Sequence, residues 1–194
     1  MIYISLFGSI GVGKTTLGIE LEKKINDSIF IKEVLNNNIY LKRFYANPST
    51  YAFHSTVEML ALMLANYQKT ENKKIVIFDN GLEELICYNN FMKNEGILNE
   101  DEYQVYKKLY DASVKIIPKT RLFIYCKLDV DLALERIKQR NREFEKTIDR
   151  NFLVNLNKCY DDFANQIPKD ELIVLDMKHI DIDMLITKIK EKLN

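Results

Sequence analysis

One segment near the N terminus constrains the fold more than any other. Residues Gly8–Thr15 read Gly-Ser-Ile-Gly-Val-Gly-Lys-Thr, which fits the pattern G-x-x-x-x-G-K-[ST]. A short apolar run, Ile2–Phe7, precedes this loop, and a segment with helical spacing, Thr15–Ile25, follows it. A strand, a glycine-rich turn and a helix in this order form a phosphate-binding loop, in which backbone N–H groups and a helix N-terminus face an anion. The sequence therefore predicts a nucleotide-binding α/β domain.

The loop also predicts how a nucleoside triphosphate and its metal ion are held. Its glycines let backbone N–H groups converge on phosphate without clashes from Cβ atoms. Lys14 is expected to neutralise the β and γ phosphates, and the Thr15 hydroxyl to bind magnesium. We therefore expect ATP and Mg²⁺ as cofactors. The residues expected to contact the nucleotide are Gly8, Ser9, Ile10, Gly11, Val12, Gly13, Lys14, Thr15 and Thr16.

Short apolar runs alternate with helical segments along the whole chain. The predicted strands are Ile2–Phe7, Ile29–Ile31, Ile75–Phe78, Leu122–Cys126 and Leu172–Leu175, with Ile29–Ile31 the weakest of them. The predicted helices are Thr15–Ile25, Pro48–Gln68, Leu82–Met92, Glu100–Ile116, Val130–Gln139, Asp149–Asn165 and Ile180–Leu193. Strands that are apolar throughout suit a parallel sheet covered on both faces. We expect one α/β domain over residues 1–194, with helices on both sides of a parallel sheet.

Composition narrows the class of partner and the compartment. Lysine plus arginine and aspartate plus glutamate number 28 each, so the overall charge does not favour nucleic acid or a membrane surface as a partner. The three cysteines lie far apart, without metal-ligand spacing. No apolar run approaches ~20 residues, and no segment resembles a signal peptide. We expect a cytoplasmic protein that acts on a small molecule.

Two acidic residues follow predicted strands. Glu33 closes the segment Ile29–Lys32, and Asp79 closes Ile75–Phe78. The carboxyl ends of parallel strands share one edge of the sheet, which is also where the phosphate loop lies. Phosphoryl transfer needs a carboxylate to take the proton of the acceptor hydroxyl and another to hold magnesium. Glu33 suits the first role and Asp79 the second; the alternative is that each is a solvated strand cap.

Three arginines cluster after the fourth predicted strand. Arg136 and Arg140 are four residues apart and share a helix face, and Arg142 follows where the helix should end. Guanidinium groups that close over a triphosphate offset the charge that develops on the transferred group. The alternative is a solvated basic face that pairs with neighbouring glutamates.

In this order, these residues resemble the deoxynucleoside kinase family, especially its compact bacterial deoxyadenosine and deoxyguanosine kinases. The resemblance runs from the phosphate loop through Lys32-Glu33, Asn38-Ile39-Tyr40 and Phe78-Asp79 to Arg136–Glu145, the arginine-rich lid. It implies a three-layer P-loop kinase fold with a five-stranded parallel sheet, and a homodimer. It also implies that ATP, or another nucleoside triphosphate, phosphorylates the 5′-hydroxyl of a deoxynucleoside to give the 5′-monophosphate.

The resemblance assigns roles to individual residues. It implies that Glu33 is the general base near the 5′-hydroxyl and that Tyr45 binds the sugar 3′-hydroxyl. It implies that Arg136, Arg140 and Arg142 act as lid arginines. It also implies that Glu145 is the lid glutamate that reaches the sugar.

The chain departs from the family pattern where the base is read. The family has Asp or Glu followed by Arg and Ser or Thr after the third strand, whereas this chain reads Asp79-Asn80-Gly81. The family's base-reading Asp, Gln and Arg fall at Leu85, Thr56 and Met63. We therefore expect altered base selection that uses Thr56 or other groups such as Glu58 or Glu84. A glutamate accepts from an amino group, so amino-bearing bases, purines first, are expected over thymidine.

Two other functions remain open at this point. A nucleoside monophosphate kinase would need extra cations for the acceptor phosphate, which Asn80 and Glu33 do not supply. A catalytically weak nucleotide-binding protein would fit the lost arginine and base readers, but Lys14, Thr15 and Arg142 are present.

Overall fold

The computed structural model describes residues 1–33, 35–70 and 73–193. Five parallel strands form one sheet in the order β2-β3-β1-β4-β5. In chain order their bounds are Ile2–Phe7, Ser28–Ile31, Ile75–Asp79, Leu122–Lys127 and Leu172–Asp176. Ile4 of β1 lies opposite both Ile77 of β3 and Leu122 of β4. The predicted α/β class and five-stranded parallel sheet are confirmed.

The described residues form eight α-helices, α1 to α8, that connect the strands and pack on the sheet. Their bounds are Lys14–Lys24, Leu41–Ala46, Pro48–Tyr67, Leu85–Asn94, Glu100–Ser113, Val130–Arg140, Arg150–Gln166 and Ile182–Leu193. Two short 3-10 turns lie at Leu35–Asn37 and Glu143–Glu145. None of these helices combines the length and the apolar character that crossing a lipid bilayer requires.

The alternation of side chains along β1 separates two parts of the core. Ile4 and Leu6 point to one face, where they pack in a cluster with Leu21 of α1 and Ile189 of α8. Phe7 points to the other face, and its ring stacks on Tyr125 with 4.7 Å between centroids. Each such buried side chain contributes about 1.5–3 kcal/mol to stability. Two covered faces explain why the central strands are apolar throughout.

The helix predictions need three main corrections, one of which is that α5 ends at Ser113 rather than at Ile116. The helix α2, Leu41–Ala46, was not predicted, because six residues are too few to show a helical period. The helix α4 begins at Leu85 rather than at Leu82. The residues before it form a turn, in which the Glu84 carboxylate accepts the backbone N–H of Gly81 over 2.6 Å. A side chain that binds the backbone in this way competes with helix formation.

The strand β5 corrects the expectation that every strand is covered on both faces. It lies at the edge of the sheet, and Val174 in its centre is 57% exposed. Its apolar sequence therefore reflects β propensity rather than full burial.

The order of the strands places a ligand site at one edge of the sheet. The strand β1 lies between β3 and β4, so the connections leave it in opposite directions. A crevice forms at such a switch point, beyond the carboxyl ends of the strands. The phosphate loop follows β1, Asp79 ends β3, and Glu33 lies two residues after β2.

Candidate active site

A cavity of about 490 Å³ opens at this edge of the sheet, within the range of ligand pockets in proteins. The phosphate loop, the turns after β2 and β3, the helices α3 and α4 and the lid line it. Every site residue predicted from the sequence lines this cavity except Ser9, Val12 and Glu58, so a base-reading role of Glu58 is not supported. Ser9 and Val12 are buried in the loop, and Val12 packs in the core on the α1 side of the sheet. Their expected role is therefore restricted to backbone contacts.

The N-terminus of α1 has no capping side chain, in contrast to the N-termini of α5, α6 and α7. At the N-termini of α5, α6 and α7, a capping side chain accepts a hydrogen bond from a backbone N–H group. These capping residues are Asn99, Asp129 and Asp149. At α1 the capping position is Gly13, which has no side chain, and the first turn contains no acidic residue. Its free N–H groups and partial positive charge are available to an anion.

The loop needs glycine where it passes the neighbouring strand. Gly8 has a φ of 137°, and a Cβ atom on it would lie 2.4 Å from the backbone oxygen of Cys126 in β4. Any larger residue would push the loop away from the sheet. Gly8 therefore fixes the position from which the loop curves toward the cavity.

Lys14, Thr15 and Asp79 form the candidate phosphate and metal site. Lys14 Nζ donates to the backbone oxygens of Gly8 and Ser9 over 2.7 and 3.0 Å, so its charge lies over the loop. The Thr15 hydroxyl donates to Asp79 Oδ2. Asp79 is buried, and its Oδ1 has no hydrogen-bond partner among the described residues. A hydroxyl and a carboxylate with an unsatisfied oxygen are the donors that Mg²⁺ prefers, so these residues fit the ion.

Glu33 lies in the cavity as a half-buried carboxyl group. Asn80 Nδ2 donates to Glu33 Oε1 over 3.0 Å. Burial, followed by the nearby Asp79 carboxylate, raises the pKa of Glu33 to about 7, against the opposite effects of Lys14, the Asn80 hydrogen bond and Arg142. A carboxyl group with such a pKa gains and loses a proton near neutral pH, which suits a general base.

The three arginines all line the cavity, but they have different partners. Arg136 Nη1 donates to the backbone oxygen of Val12 over 2.9 Å, which ties α6 to the phosphate loop. Arg140 binds both carboxylate oxygens of Glu145 over 2.9 and 2.8 Å, and Arg142 reaches the same carboxylate over 3.3 Å. Glu145 is only 4% exposed. Arg140 and Arg142 therefore do pair with a glutamate, but in the wall of the cavity rather than on a solvated face.

Tyr45 lies at the junction between the lid and α2. Its ring packs against Phe144, with 5.3 Å between centroids. Burial, then the charges of Glu145 and Glu33, raise the pKa of Tyr45 to about 12. The phenol thus keeps its proton and can donate a hydrogen bond beside the candidate base.

The residues expected to read the base have partly different roles. The Thr56 hydroxyl donates its proton to the backbone oxygen of Phe53 over 3.0 Å. Toward a ligand, this hydroxyl therefore acts as a hydrogen-bond acceptor. Glu84 Oε1 accepts from Ser5 Oγ over 2.7 Å and from the Gly81 N–H over 2.6 Å. Burial, and then Glu83, raise the pKa of Glu84 well above its ordinary range. The two hydrogen bonds make Glu84 a residue that holds the turn, and burial favours its protonated form over the anionic form expected of a base reader.

Gly81 makes this turn possible. A Cβ atom at Gly81 would lie 2.8 Å from Ser5 Oγ and 3.1 Å from Glu84 Oε2. The chain therefore has room for the Ser5–Glu84 contact because it lacks the Ser or Thr that the resemblance implies at this position.

Sequence reasoning missed several residues of the cavity wall, of which Asn89 and Tyr106 matter most. Asn89 is 2% exposed and Tyr106 is 0% exposed, and both line the cavity. In the sequence, Tyr106 follows Tyr103 and precedes Tyr110 at helical spacing, a pattern that favours a packing face. The spacing of Leu85, Asn89 and Met92 places Asn89 on the apolar side of α4, and this was the available signal.

An open phosphate loop, a hydroxyl–carboxylate pair and a carboxyl group with a pKa near neutrality meet in one cavity. Together with the sheet order they define a P-loop phosphotransferase. A family model described as deoxynucleoside kinase matches residues 4–194. The chain belongs to the deoxynucleoside kinase family, and the predicted family and enzyme class are confirmed.

Individual relatives agree with this assignment. The chain is 30% identical over 173 residues to a deoxyadenosine kinase of Dictyostelium discoideum, covering 86% of this chain and 68% of the relative. It is 29% identical over 188 residues to a deoxyguanosine kinase of Bacillus subtilis, covering 96% and 90%. The structure of a deoxyadenosine kinase from M. mycoides with bound dATP superimposes with a TM-score of 0.85 at 25% identity, covering 98% and 100%.

Proposed function

We propose that this chain transfers the terminal phosphate of ATP, or of another nucleoside triphosphate, to the 5′-hydroxyl of a deoxynucleoside. The observation that carries the proposal is the placement of Glu33. Its carboxyl group has a pKa of about 7 and lines the same cavity as the phosphate loop and Asp79. A base and a phosphate site in one enclosed space satisfy the main requirement of phosphoryl transfer, which is positioning.

The donor side of the cavity holds the triphosphate. The open N-terminus of α1 and Lys14 bind its phosphates, and Arg136, Arg140 and Arg142 neutralise charge that spreads over the transferred group. Thr15 and Asp79 hold Mg²⁺. The metal ion, when bound, neutralises phosphate oxygens and orients them.

The acceptor side holds the sugar and its hydroxyl. Glu33 takes the proton of the 5′-hydroxyl as the new bond to phosphorus forms, and Asn80 keeps the carboxylate in position. Tyr45 and Glu145 contact the sugar, with the phenol of Tyr45 as donor to the 3′-hydroxyl. Thr56 and Glu84 lie beside the base, Glu84 in its neutral form.

We propose that amino-bearing bases, purines first, are preferred over thymine. Similar enzymes support this: the relatives above are named for deoxyadenosine and deoxyguanosine, and the M. mycoides deoxyadenosine kinase has structures with dATP and with the product dCMP. All of these bases carry an exocyclic amino group.

The proposal also includes a cytoplasmic homodimer. The cysteines Cys87, Cys126 and Cys159 are free thiols, which supports a reducing compartment. Val105 and Leu109 of α5 are 46% and 43% exposed, so a second copy has apolar surface to cover. Analytical ultracentrifugation would contradict the dimer by finding only monomers at micromolar concentration.

An assay of phosphate transfer from ATP tests the central proposal. The acceptors are deoxyadenosine, deoxyguanosine, deoxycytidine and thymidine, together with their 5′-monophosphates. We expect 5′-monophosphates as products from the nucleosides and little transfer to the monophosphates. Transfer to monophosphates alone would indicate a nucleotide kinase, and no transfer to any acceptor would indicate a protein that only binds nucleotide.

A further inference from the structure

Two asparagine–tyrosine pairs join α4 to α5, and they differ in one respect. In the first pair, Tyr103 donates to Asn90 Oδ1 over 2.6 Å, and neither residue lines the cavity. In the second pair, both residues line the cavity, and the side chain of Asn89 lies close enough to Tyr106 to lower the pKa of its hydroxyl against the larger effect of burial. Within the described residues, neither Asn89 Oδ1 nor the Tyr106 hydroxyl has a hydrogen-bond partner. The pair that faces the ligand space is thus the pair with free hydrogen-bonding capacity.

The orientation of the Asn89 amide is fixed by the helix. Its Nδ2 donates to the backbone oxygen of Leu85 over 2.9 Å. A flipped amide would place its oxygen against that carbonyl oxygen, so Oδ1 is the atom left to accept a hydrogen bond. Burial raises the pKa of Tyr106, so its hydroxyl keeps the proton and remains a donor. The wall therefore offers one acceptor and one donor side by side.

We propose that Asn89 and Tyr106 read the base of the nucleoside substrate. Asn89 Oδ1 accepts from an exocyclic amino group, and the Tyr106 hydroxyl donates to the ring nitrogen beside that group. This inference rests on the proposed function, because it names the class of base that the same cavity takes. Neither residue stands at a position where the family pattern places a base reader.

The proposal selects two of the four common bases. Adenine and cytosine each present an amino donor next to a ring-nitrogen acceptor. Guanine and thymine present a carbonyl oxygen next to a ring N–H, which is the reverse order. A carbonyl oxygen would face Asn89 Oδ1, and both acceptors would be left buried without a donor. The inference thus narrows the amino-bearing bases proposed above to adenine and cytosine, and it places deoxyguanosine with thymidine among the disfavoured substrates.

Among the other described side chains of the cavity wall, Glu84 is the main competitor for a base, because its Oε2 is buried without a hydrogen-bond partner. Met59, Leu85 and Met92 line this part of the cavity and carry no strong hydrogen-bonding group. Oε1 of Glu84 is already bound by Ser5 and Gly81. The rival interpretation is that Tyr106 rotates and donates to Asn89, so that the pair closes on itself and contacts no base.

Deoxyadenosine and deoxyinosine are the most informative pair of substrates. Deoxyadenosine carries an amino group where deoxyinosine carries a carbonyl, and the adjacent ring nitrogen is unprotonated in the first and protonated in the second. We expect kcat/KM of the wild type to favour deoxyadenosine by roughly 10- to 100-fold, the scale of one or two unsatisfied buried groups. Asn89→Leu should remove most of this preference by lowering kcat/KM for deoxyadenosine, and Tyr106→Phe should reduce it in the same direction.

The second pair supplies the matched control. Tyr103→Phe and Asn90→Leu break an asparagine–tyrosine contact between the same helices but outside the cavity, so the substrate ratio should not change. Thermal unfolding shows whether each variant is folded. If Asn89→Leu does not fold, Tyr106→Phe and the wild-type ratio still decide the question.

The experiment distinguishes a failure of the base-reading inference from a failure of the proposed function. Equal use of deoxyadenosine and deoxyinosine by an active wild type would overturn the base-reading role alone, as would an unchanged ratio in folded Asn89→Leu and Tyr106→Phe. A wild type that phosphorylates no nucleoside would overturn the proposed function and this inference with it.

Discussion

The side-chain amide of Asn80 donates a hydrogen bond of 3.0 Å to Glu33 Oε1. The family resemblance implies an arginine at this position, so here a neutral group takes the place of a cation beside the candidate base. An amide orients the carboxylate but favours its charged form less than a guanidinium group does. This is consistent with the pKa of about 7 at Glu33. Asn80 also has a φ of 58°, a left-handed conformation that asparagine tolerates better than most residues.

We predict that Asn80→Arg shifts the acid limb of the pH–rate profile to lower pH. A positive charge beside Glu33 favours its carboxylate, lowers its pKa and keeps the base ionised in more acidic solution. The measurement is kcat/KM for deoxyadenosine against pH. Asn80→Leu is the matched neutral variant: it should lower kcat by roughly 10-fold through loss of the hydrogen bond, without an acidic shift. An acid limb at the same pH in the Arg variant would contradict the assigned contact.

Glu33→Gln should lower turnover by ~10²-fold or more, the usual effect of removing a general base. Glutamine keeps the shape of the side chain but cannot accept the proton. The dissociation constant for deoxyadenosine, measured by calorimetry, should change much less. A turnover close to wild type would make Asp79 the better candidate for the base.

Glu33 should also make stability depend on pH in the protein without nucleotide or metal. Its pKa in the folded state is about 7, above the ordinary value of 4.5. The folded state therefore holds the proton more tightly, so this contribution is fully present below pH 4.5 and is lost as the pH rises through about 7. Between these pH values, the free energy of unfolding of Glu33→Gln should rise relative to wild type by roughly 1–3 kcal/mol. Urea denaturation with EDTA at several pH values measures this difference, and a difference independent of pH would contradict it.

Lys14→Ala should abolish phosphate transfer and leave the fold intact. Among the described residues, the hydrogen bonds of Lys14 Nζ go to backbone oxygens of its own loop, so their loss should leave the packing of the core unchanged. The control is Lys24→Ala, which removes an exposed lysine at the other end of α1, paired with Asp183. That variant should keep wild-type turnover. Near-normal activity of Lys14→Ala in a folded protein would disprove the assignment of the phosphate loop.

Gly18→Ala should destabilise the protein, although alanine is the better helix former. Helix propensity favours alanine by about 1 kcal/mol, but overpacking costs about 1–3 kcal/mol. A Cβ atom at Gly18 would lie 2.1 Å from a ring carbon of Phe30, so the steric cost should dominate. In a Phe30→Leu background the same change should cost less, because the ring is gone. Equal effects in both backgrounds, measured by urea denaturation, would show that Phe30 is not the obstacle.

The parts of this protein that were predictable from the sequence are those specified by local patterns. The phosphate loop is a continuous motif between a strand and a helix, so Lys14 and Thr15 were assigned correctly to the cavity wall. Glu33 and Asp79 followed from the rule that parallel strands end at a common edge. Both are confirmed as neighbours of the loop; their catalytic and metal-binding roles remain predictions.

The parts that were not predictable depend on contacts between distant segments. Asn80 and Glu33 are 47 residues apart, and nothing in either segment indicates that one binds the other. Glu84 was expected to be an anionic base reader, but Ser5, 79 residues away, makes it part of a turn. Asn89 was missed because an asparagine on a helix is usually exposed. Its burial becomes visible only when α5 is placed against α4.

On the proposed function, the hydrogen bonds of Arg140 and Arg142 to Glu145 have a consequence for the release of the nucleotide product. A ligand must offer more negative charge than one carboxylate to draw both guanidinium groups away, and a triphosphate does so. After transfer, the diphosphate that remains carries less charge, so Glu145 competes for the arginines on better terms. On the proposed function, we therefore expect the Glu145 carboxylate to weaken binding of other anions in the empty site and to promote release of the diphosphate after transfer.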